Sequence, residues 1–383
     1  MMVAGESSGE TYGAAMARAL RARDGAMEIF GCGGEAMRQA GVNTLVDAQE
    51  IAVMGFSEAL GGLYRAWRSL GRLAGAAAAR RPSGAVLIDS PDFNLRLASR
   101  LKRLGVPVIY FVSPQVWAWR SGRLEQLKAT IQKMLCIFDF EQEIYQRAGI
   151  PVEFVGHPLV DLEPEGSSRE EFLAATGLDS DTPTIAILPG SRRSEIAHHW
   201  PTMLEAMRQV ALRRRVQFVI SVARPEKAAE IRAQVRRRLG GQARVGMVTG
   251  AAHDALDHST VAVVASGTVT VEAALRERPM VVIYRVSPVT AWLARRLVRV
   301  PFYSMVNLLA GREVVPELIQ ADFTPQKVAE RTEFLLDHPE SRANMVEGLR
   351  AVKQRLGPGG AIERAASAVW RELALGGASP SAA

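Results

Sequence analysis

Cysteine is almost missing from this chain. The 383 residues hold two, Cys32 and Cys136, far apart and in no CxxC pair. That scarcity excludes a disulfide framework and a cysteine-based zinc site, and each thiol sits in a strand-like or turn context that suits a small buried hydrophobe. Long apolar runs are missing as well. No stretch reaches the roughly 18 to 20 uninterrupted apolar residues that cross a bilayer. Glu6 follows Met1 too closely for a secretory leader, so a cytoplasmic protein is expected. Low-complexity tracts are confined to the tail from Gly376 to Ala383, which holds only Gly, Ala, Ser, Pro and should fray. Hydrophobic residues at 48% and charged residues at 23% exclude disorder, collagen and coiled coil.

What is present is a core large enough for two domains and a surplus of positive charge. Lys and Arg total 47 against 40 Asp and Glu, a net +7 that favours anionic partners. Net charge alone does not choose among nucleotide, anionic lipid and nucleic acid. A nucleic-acid binder would need a basic groove interleaved with exposed aromatics or a recognised module, and neither is visible, so no nucleic acid is expected.

Short β-rich runs alternate with amphipathic stretches. Glu28 to Phe30, Gly84 to Asp89, Val106 to Val112, Met134 to Phe138 and Val152 to Val155 form a first series. After Pro158 and the polar stretch Glu163 to Glu170 a second series begins: Thr184 to Leu188, Val216 to Ser221, Arg244 to Thr249, Val261 to Ala265 and Met280 to Tyr284. Alternating strands and helices imply parallel sheets whose ligands sit beyond the strand C-termini. The expected fold is therefore α/β, two Rossmann-like domains facing across a cleft. Residues 1–160 form the first, 161–350 the second, and 351–383 a C-terminal helix and flexible tail that packs back on the first domain or on a partner subunit. Only Met1 to Val3 precede the first turn, and a chain start assigned a few residues late would account for so short a strand.

Several turns can carry chemistry. Val261 to Ala265 runs into Ser266-Gly267-Thr268 and then a helix-like stretch, so that a diphosphate can approach backbone N–H groups at a positive helix end. A plain N-cap by Ser266 or Thr268 is the simpler alternative. Glu272, one turn on, can accept ribose hydroxyls. Pro189-Gly190-Ser191-Arg192 repeats the arrangement after Thr184 to Leu188, with Arg192 placed to meet a phosphate and offset charge on a departing diphosphate. In the first series, Asp89-Ser90-Pro91-Asp92-Phe93-Asn94 follows a strand end, and transfer to a hydroxyl needs a carboxylate there. Asp89 and Asp92 both qualify, although an Asp N-cap ahead of Pro91 competes for Asp89.

Other patterns carry less. Gly31-Cys32-Gly33-Gly34-Glu35-Ala36 fits a dinucleotide fingerprint, yet it follows the second strand and opens a helix broken by Gly41. Asp179-Ser180-Asp181 precedes a strand, away from a parallel-sheet site, and reads as a turn. His198 and His199 are adjacent and lack metal-pair spacing. The stretch Ile51 to Leu70 places Met54, Phe56, Leu60, Leu63 and Trp67 beside Arg65 and Arg68. Periodicity alone favours a core-facing helix, and a membrane interface is the alternative.

Together these motifs, with Ala4-Gly5-Glu6-Ser7-Ser8-Gly9, Met54-Gly55-Phe56, Val112-Ser113-Pro114-Gln115-Val116-Trp117-Ala118-Trp119 and Asn307-Leu308-Leu309-Ala310-Gly311-Arg312-Glu313, resemble the lipid-A-disaccharide synthases, the inverting glycosyltransferases of bacterial lipid A assembly. The resemblance covers nearly the whole chain. It implies a GT-B fold, a UDP-2,3-diacylglucosamine donor, a 2,3-diacylglucosamine 1-phosphate acceptor (lipid X), and a β-1,6-linked disaccharide with UDP as products. It implies no metal and no cofactor. By motif, Asp92 becomes the preferred base with Asp89 beside it. Arg192 and Asn307 become essential site residues, while Glu6, Ser8, Gly190, Ser191, Ser266, Gly267, Thr268, Glu272, Arg312 and Glu313 become substrate or UDP contacts. Glu10 stands where Asp is more usual. The resemblance also moves Met54, Phe56, Leu60, Leu63, Arg65, Trp67 and Arg68 toward acyl chains and the inner face of the cytoplasmic membrane, giving the positive charge an anionic lipid partner. A homodimer is compatible with it. The nearest rivals, a peptidoglycan N-acetylglucosaminyltransferase and a UDP-sugar 2-epimerase, are disfavoured by Asp89 to Asn94 and by Trp117 and Trp119.

Overall fold

The structure, a computed structural model, describes residues 1–51, 61–116, 122–162, 164–297 and 300–377. Met54, Phe56 and Leu60, expected at a lipid surface, lie outside the described residues, as do Trp117, Trp119 and the end of the tail. The side chain of Leu63 is likewise outside the description. The chain divides into two units, Met1–Asp161 with Leu356–Ala383, and Leu162–Arg355. The segment after residue 355 thus belongs to the first unit.

The first unit holds seven strands: β1 (Met2–Ala4), β2 (Phe30–Gly33), β3 (Asn43–Asp47), β4 (Ala85–Ile88), β5 (Val108–Phe111), β6 (Lys133–Cys136) and β7 (Val152–Phe154). They pair in the order 3-2-1-4-5-6-7, parallel throughout. β1, β4 and β5 are buried at every position, as strands covered on both faces by crossover helices must be. Gly31 illustrates how tightly β1 and β2 approach. Its φ is +156°, and a Cβ there would lie 1.9 Å from the Met2 carbonyl oxygen. The apparent dinucleotide fingerprint is therefore a sheet-packing device, and the helix after it, Glu35–Gln39, has only five residues.

The C-terminal helix Ala361–Gly377 packs on the helix Ser7–Arg23, where Arg23 reaches the Glu363 carboxylate at 3.0 Å and Ser367 Oγ at 2.7 Å. Arg371 donates to both carboxylate oxygens of Glu153, each at 2.9 Å.

The second unit holds β8 (Thr184–Leu188), β9 (Gln217–Val222), β10 (Val245–Thr249), β11 (Val261–Ala265), β12 (Met280–Tyr284) and β13 (Glu317–Ile319), in the order 10-9-8-11-12-13, again all parallel. β8, β9 and β11 are buried at every position. Asp179 and Asp181 form the turn ahead of β8, the Asp181 N–H bonding Asp179 Oδ1 at 2.9 Å. Cys32 and Cys136 are free and buried. No helix among the described residues is long and apolar enough to cross a membrane.

Both sheets reverse their strand order once near the middle, between β1 and β4 and between β8 and β11. Chains leaving such neighbouring strands diverge to opposite faces and open a crevice at their C-terminal ends, the usual ligand position in an open α/β sheet.

Candidate functional site

In the first unit, the segments leaving β1 and β4 are the two motif turns, Gly5–Gly9 and Asp89–Asn94. They touch: a Cβ on Gly5 would stand 2.7 Å from Ser90 Oγ and from Ile51 Cδ1. Glu6 is the N-cap residue of the helix Ser7–Arg23, and its side chain does not serve as the cap. Glu6 and Ser8 are both half-buried at this crevice. Glu10 faces elsewhere. Its Oε1 accepts the Ala36 N–H at 2.8 Å and its carboxylate lies against Gly34, so that it caps the helix Glu35–Gln39. Glu10 is structural.

The turn after β4 is strained. Asp89 (φ 50°) and Ser90 (φ 46°) are consecutive left-handed residues, and Val112 just beyond β5 has φ 64°. Each such residue costs on the order of 1–2 kcal/mol, more for a β-branched one, and must be held by its surroundings. The holding groups are visible. Asn94 is fully buried and donates Nδ2 to the carbonyls of Ile88 at 3.1 Å and Asp89 at 2.7 Å. The Tyr110 hydroxyl donates to the same Asp89 carbonyl at 2.6 Å, and burial holds that phenol well above its ordinary pKa. The N-cap of the helix Pro91–Arg103 is Ser90, not Asp89, and no side chain caps it. Asp92, in the first turn of that helix, projects with its side chain 47% exposed and is ion-paired with Arg123, which is 12% exposed on the helix Gly122–Thr130. Arg123 fixes the direction of the carboxylate. Sequence reasoning missed it because an arginine in a polar helix start has no marking pattern.

The helix Gly61–Arg80 presents two faces. Ala66, Leu70, Leu73 and Ala77 are core, as periodicity suggests, while Tyr64 and Trp67 are 64% and 65% exposed beside the exposed Arg65 and Arg68.

In the second unit, the segments leaving β8 and β11 are the two anion-type turns. After β11, Gly267 (φ 149°) is the N-cap of the helix Thr268–Leu275, and no side chain caps it. The simple N-cap alternative therefore fails for both Ser266 and Thr268. Ser266 Oγ instead donates to the Tyr303 carbonyl at 2.8 Å, which spends that hydroxyl on holding the turn. Gly267 and Thr268 remain exposed at the helix end, and Glu272 lies one turn on along the Thr268 face.

The turn after β8 differs from expectation. Gly190 (φ 112°) admits the carboxylate of Glu195, whose Oε2 accepts the N–H groups of Ser191 at 3.1 Å and Arg192 at 3.2 Å. Those two backbone donors are thus already committed to an internal anion, contrary to the expectation for Ser191. The Arg192 guanidinium is 61% exposed and lies 3.5 Å from Glu195 Oε1. Beneath the turn His199 is buried, its Nδ1–H donating to the Pro189 carbonyl at 2.8 Å and its Nε2 accepting the Arg285 N–H at 3.0 Å. Burial pushes this imidazole below its ordinary pKa, and the bonds match the neutral ring.

Asn307 requires the largest correction. It is fully buried, its Nδ2 donates to the Val315 carbonyl and the Glu317 carboxylate, each at 2.8 Å, and its Oδ1 accepts the N–H groups of Val314 at 2.7 Å and Val315 at 3.0 Å. Four bonds exhaust a carboxamide, so in this structure the Asn307 side chain holds the Val314–Glu317 segment and has no donor or acceptor left over. Its effect travels through Glu317, which also accepts the N–H groups of Tyr303 and Ser304, and so sets the carbonyl that holds Ser266. Arg312 and Glu313 are removed from this edge. They precede β13, hence lie at its N-terminal end. There they line a groove of about 470 Å³ shared with Met345, whose sulfur takes the N–H of Met280, the first residue of β12.

The chain matches the model of the lipid-A-disaccharide synthetase family over residues 1–369. It is 44% identical over 377 residues to a lipid-A-disaccharide synthase of Myxococcus xanthus, covering 98% of each chain. Among solved structures it is similar to a UDP-GlcNAc 2-epimerase of Neisseria meningitidis bound to UDP-GlcNAc (TM-score 0.67, 13% identity, 97% of this chain and 99% of that one). It is similar also to a calicheamicin glycosyltransferase (TM-score 0.60, 15% identity, 99% and 98%). Identities that low show the shared fold of two Rossmann-like domains and nothing of substrate, whereas the full-length family match and the identity above 40% decide between the glycosyltransferase and epimerase readings: this chain belongs to the lipid-A-disaccharide synthase family and is a glycosyltransferase.

Proposed function

We propose that the chain transfers 2,3-diacylglucosamine from its UDP carrier to the 6-hydroxyl of 2,3-diacylglucosamine 1-phosphate, with inversion at the anomeric carbon. The supporting observation is that all four motif turns fall at the switch points of the two sheets. The carboxylate turn leaves β4 in the first unit, and the uncapped helix end leaves β11 in the second. In the reacting complex Asp92 accepts the proton of the attacking hydroxyl, and Arg123 keeps its carboxylate oriented. The bond from the anomeric carbon to the UDP oxygen breaks as the new one forms, and the charge arriving on UDP is met by Arg192 and by the N–H groups at Thr268. Glu272 accepts the ribose hydroxyls. Tyr64, Trp67, Arg65 and Arg68 give a peripheral contact with an anionic membrane, consistent with acylated substrates at the inner face of the cytoplasmic membrane.

Mass spectrometry of the purified chain with both acylated glucosamine substrates tests the assignment. A disaccharide appearing with equimolar UDP supports it. UDP-N-acetylglucosamine consumed or epimerised without acyl chains would contradict it.

A further inference from the structure

Between the helices Gly61–Arg80 and Pro91–Arg103 runs a groove of about 680 Å³. Tyr64 and Trp67 form one wall, Phe93 lies in it, and Arg96, Arg100 and Arg103 form the other. Among the described residues no carboxylate lines it, and none pairs with Arg96, Arg100 or Arg103. An apolar wall facing unneutralised guanidinium groups suits an amphiphile that carries a phosphate, because an arginine prefers a bidentate phosphate partner to water when one is held in place.

The groove is tied to the chemistry of the first unit. Asp92, Arg96, Arg100 and Arg103 follow one another at i, i+4, i+8 and i+11, one stripe of a single helix. Gln126 lines the same groove, one turn along its helix from Arg123, the partner of Asp92. At about 1.5 Å rise per residue, Arg96 and Arg100 stand roughly 6 and 12 Å along the axis from Asp92. A glucosamine 1-phosphate whose 6-hydroxyl meets Asp92 carries its phosphate across the sugar ring, a span of about one helical turn, roughly 5–6 Å, and the long Arg96 and Arg100 side chains can reach back to it.

We infer that this groove is the acceptor subsite: Arg96 and Arg100 bind the anomeric phosphate of the acylated acceptor, and Tyr64 and Trp67 lie along its acyl chains. The inference rests on the reaction proposed above. It makes the phosphate the feature that sets acceptor register, placing the 6-hydroxyl at Asp92.

The test compares two acceptors in mixed detergent micelles at saturating donor, 2,3-diacylglucosamine 1-phosphate and its 1-hydroxy analogue. The wild-type chain and the variants Arg96→Ala, Arg100→Ala and Arg100→Lys are used. Each alanine change should lower kcat/KM for the phosphorylated acceptor by ten- to hundredfold more than for the analogue, as expected for loss of a charge-assisted hydrogen bond, with Arg100→Lys recovering part of the loss. UDP affinity by calorimetry should stay at the wild-type value, which separates the effect from misfolding. Equal losses on both acceptors, or none, overturn the inference. So does a loss that tracks release from phosphatidylglycerol vesicles irrespective of acceptor phosphate, which would assign the arginines to the membrane. If the wild-type chain makes no disaccharide from either acceptor, the proposed reaction fails first, and the groove loses its stated ligand with it.

Discussion

Replacing Asn307 with alanine should remove activity by loosening the second unit, not by deleting a substrate contact. The change breaks four hydrogen bonds at a fully buried site, three to neutral backbone groups and one to the Glu317 carboxylate. At about 1 kcal/mol for each neutral bond and about 1.5–3 for the charged one, the loss is roughly 4–6 kcal/mol. Domains are stable by only about 5–15 kcal/mol, so that is a large share. Urea unfolding followed by circular dichroism should show a markedly lower midpoint, and calorimetry on the remaining folded fraction should show weaker UDP binding, because Ser304, Tyr303 and Ser266 lose their register. Asn307→Asp is the isosteric companion. It keeps the acceptor for the Val314 and Val315 N–H groups but sets an oxyanion against Glu317, and should be at least as damaging. If Asn307→Ala unfolds within about 0.5 kcal/mol of the wild-type chain, the ordinary range for a substitution away from such networks, and turnover is still abolished, the residue acts on substrate directly and the positioning account fails.

Glu272→Gln should weaken UDP binding in calorimetry, and unchanged affinity would remove the ribose assignment. Glu10→Gln should cost about 1 kcal/mol or less of stability, as loss of a cap does, with turnover intact; a large loss of kcat would restore Glu10 to the site. His157 is buried, and burial pushes its pKa down to about 3. The unfolded chain therefore binds a proton below pH 6.5 that the folded chain refuses, and stability falls as pH drops through that window, by roughly 2 kcal/mol between pH 6.5 and 5. Urea midpoints at the two pH values check this, and His157→Gln should flatten the difference. High salt should release much of the protein from anionic vesicles, with Trp67→Ser weakening what remains, and salt-independent binding would count against the interfacial face.

Much of the fold was legible because its central strands are short apolar runs ended by Gly, Pro and Ser turns; β8, β11 and β12 lie where the runs do. Two edge strands were not. β3 is polar at its ends with one residue buried, and β13 is three residues long beginning with Glu317. β2 was placed early because its glycines read as a turn, although Gly31 is there to let β1 approach. At the site, the four turns could be read because small residues between a strand and a helix have few other uses. Arg123, Glu195 and Glu317 could not, since a charged residue on a helix or strand start looks like ordinary surface until its partner is known. Arg312 and Glu313 were misplaced for a related reason: proximity in sequence to Asn307 does not say which end of a parallel strand a loop occupies.

If Asp92 is the base of the proposed transfer, steady-state turnover of Asp92→Asn measures it most directly. Asparagine keeps an acceptor for Arg123, so the local geometry survives while the proton acceptor is lost. Asp89→Asn is a clean control, because asparagine tolerates the left-handed backbone at that position as well as aspartate does. Asp92→Asn should lower kcat by about 10² to 10⁴-fold with UDP affinity nearly unchanged, and Asp89→Asn should retain most activity. Near-normal turnover in Asp92→Asn, with Asp89→Asn inactive but folded, would contradict that role for Asp92.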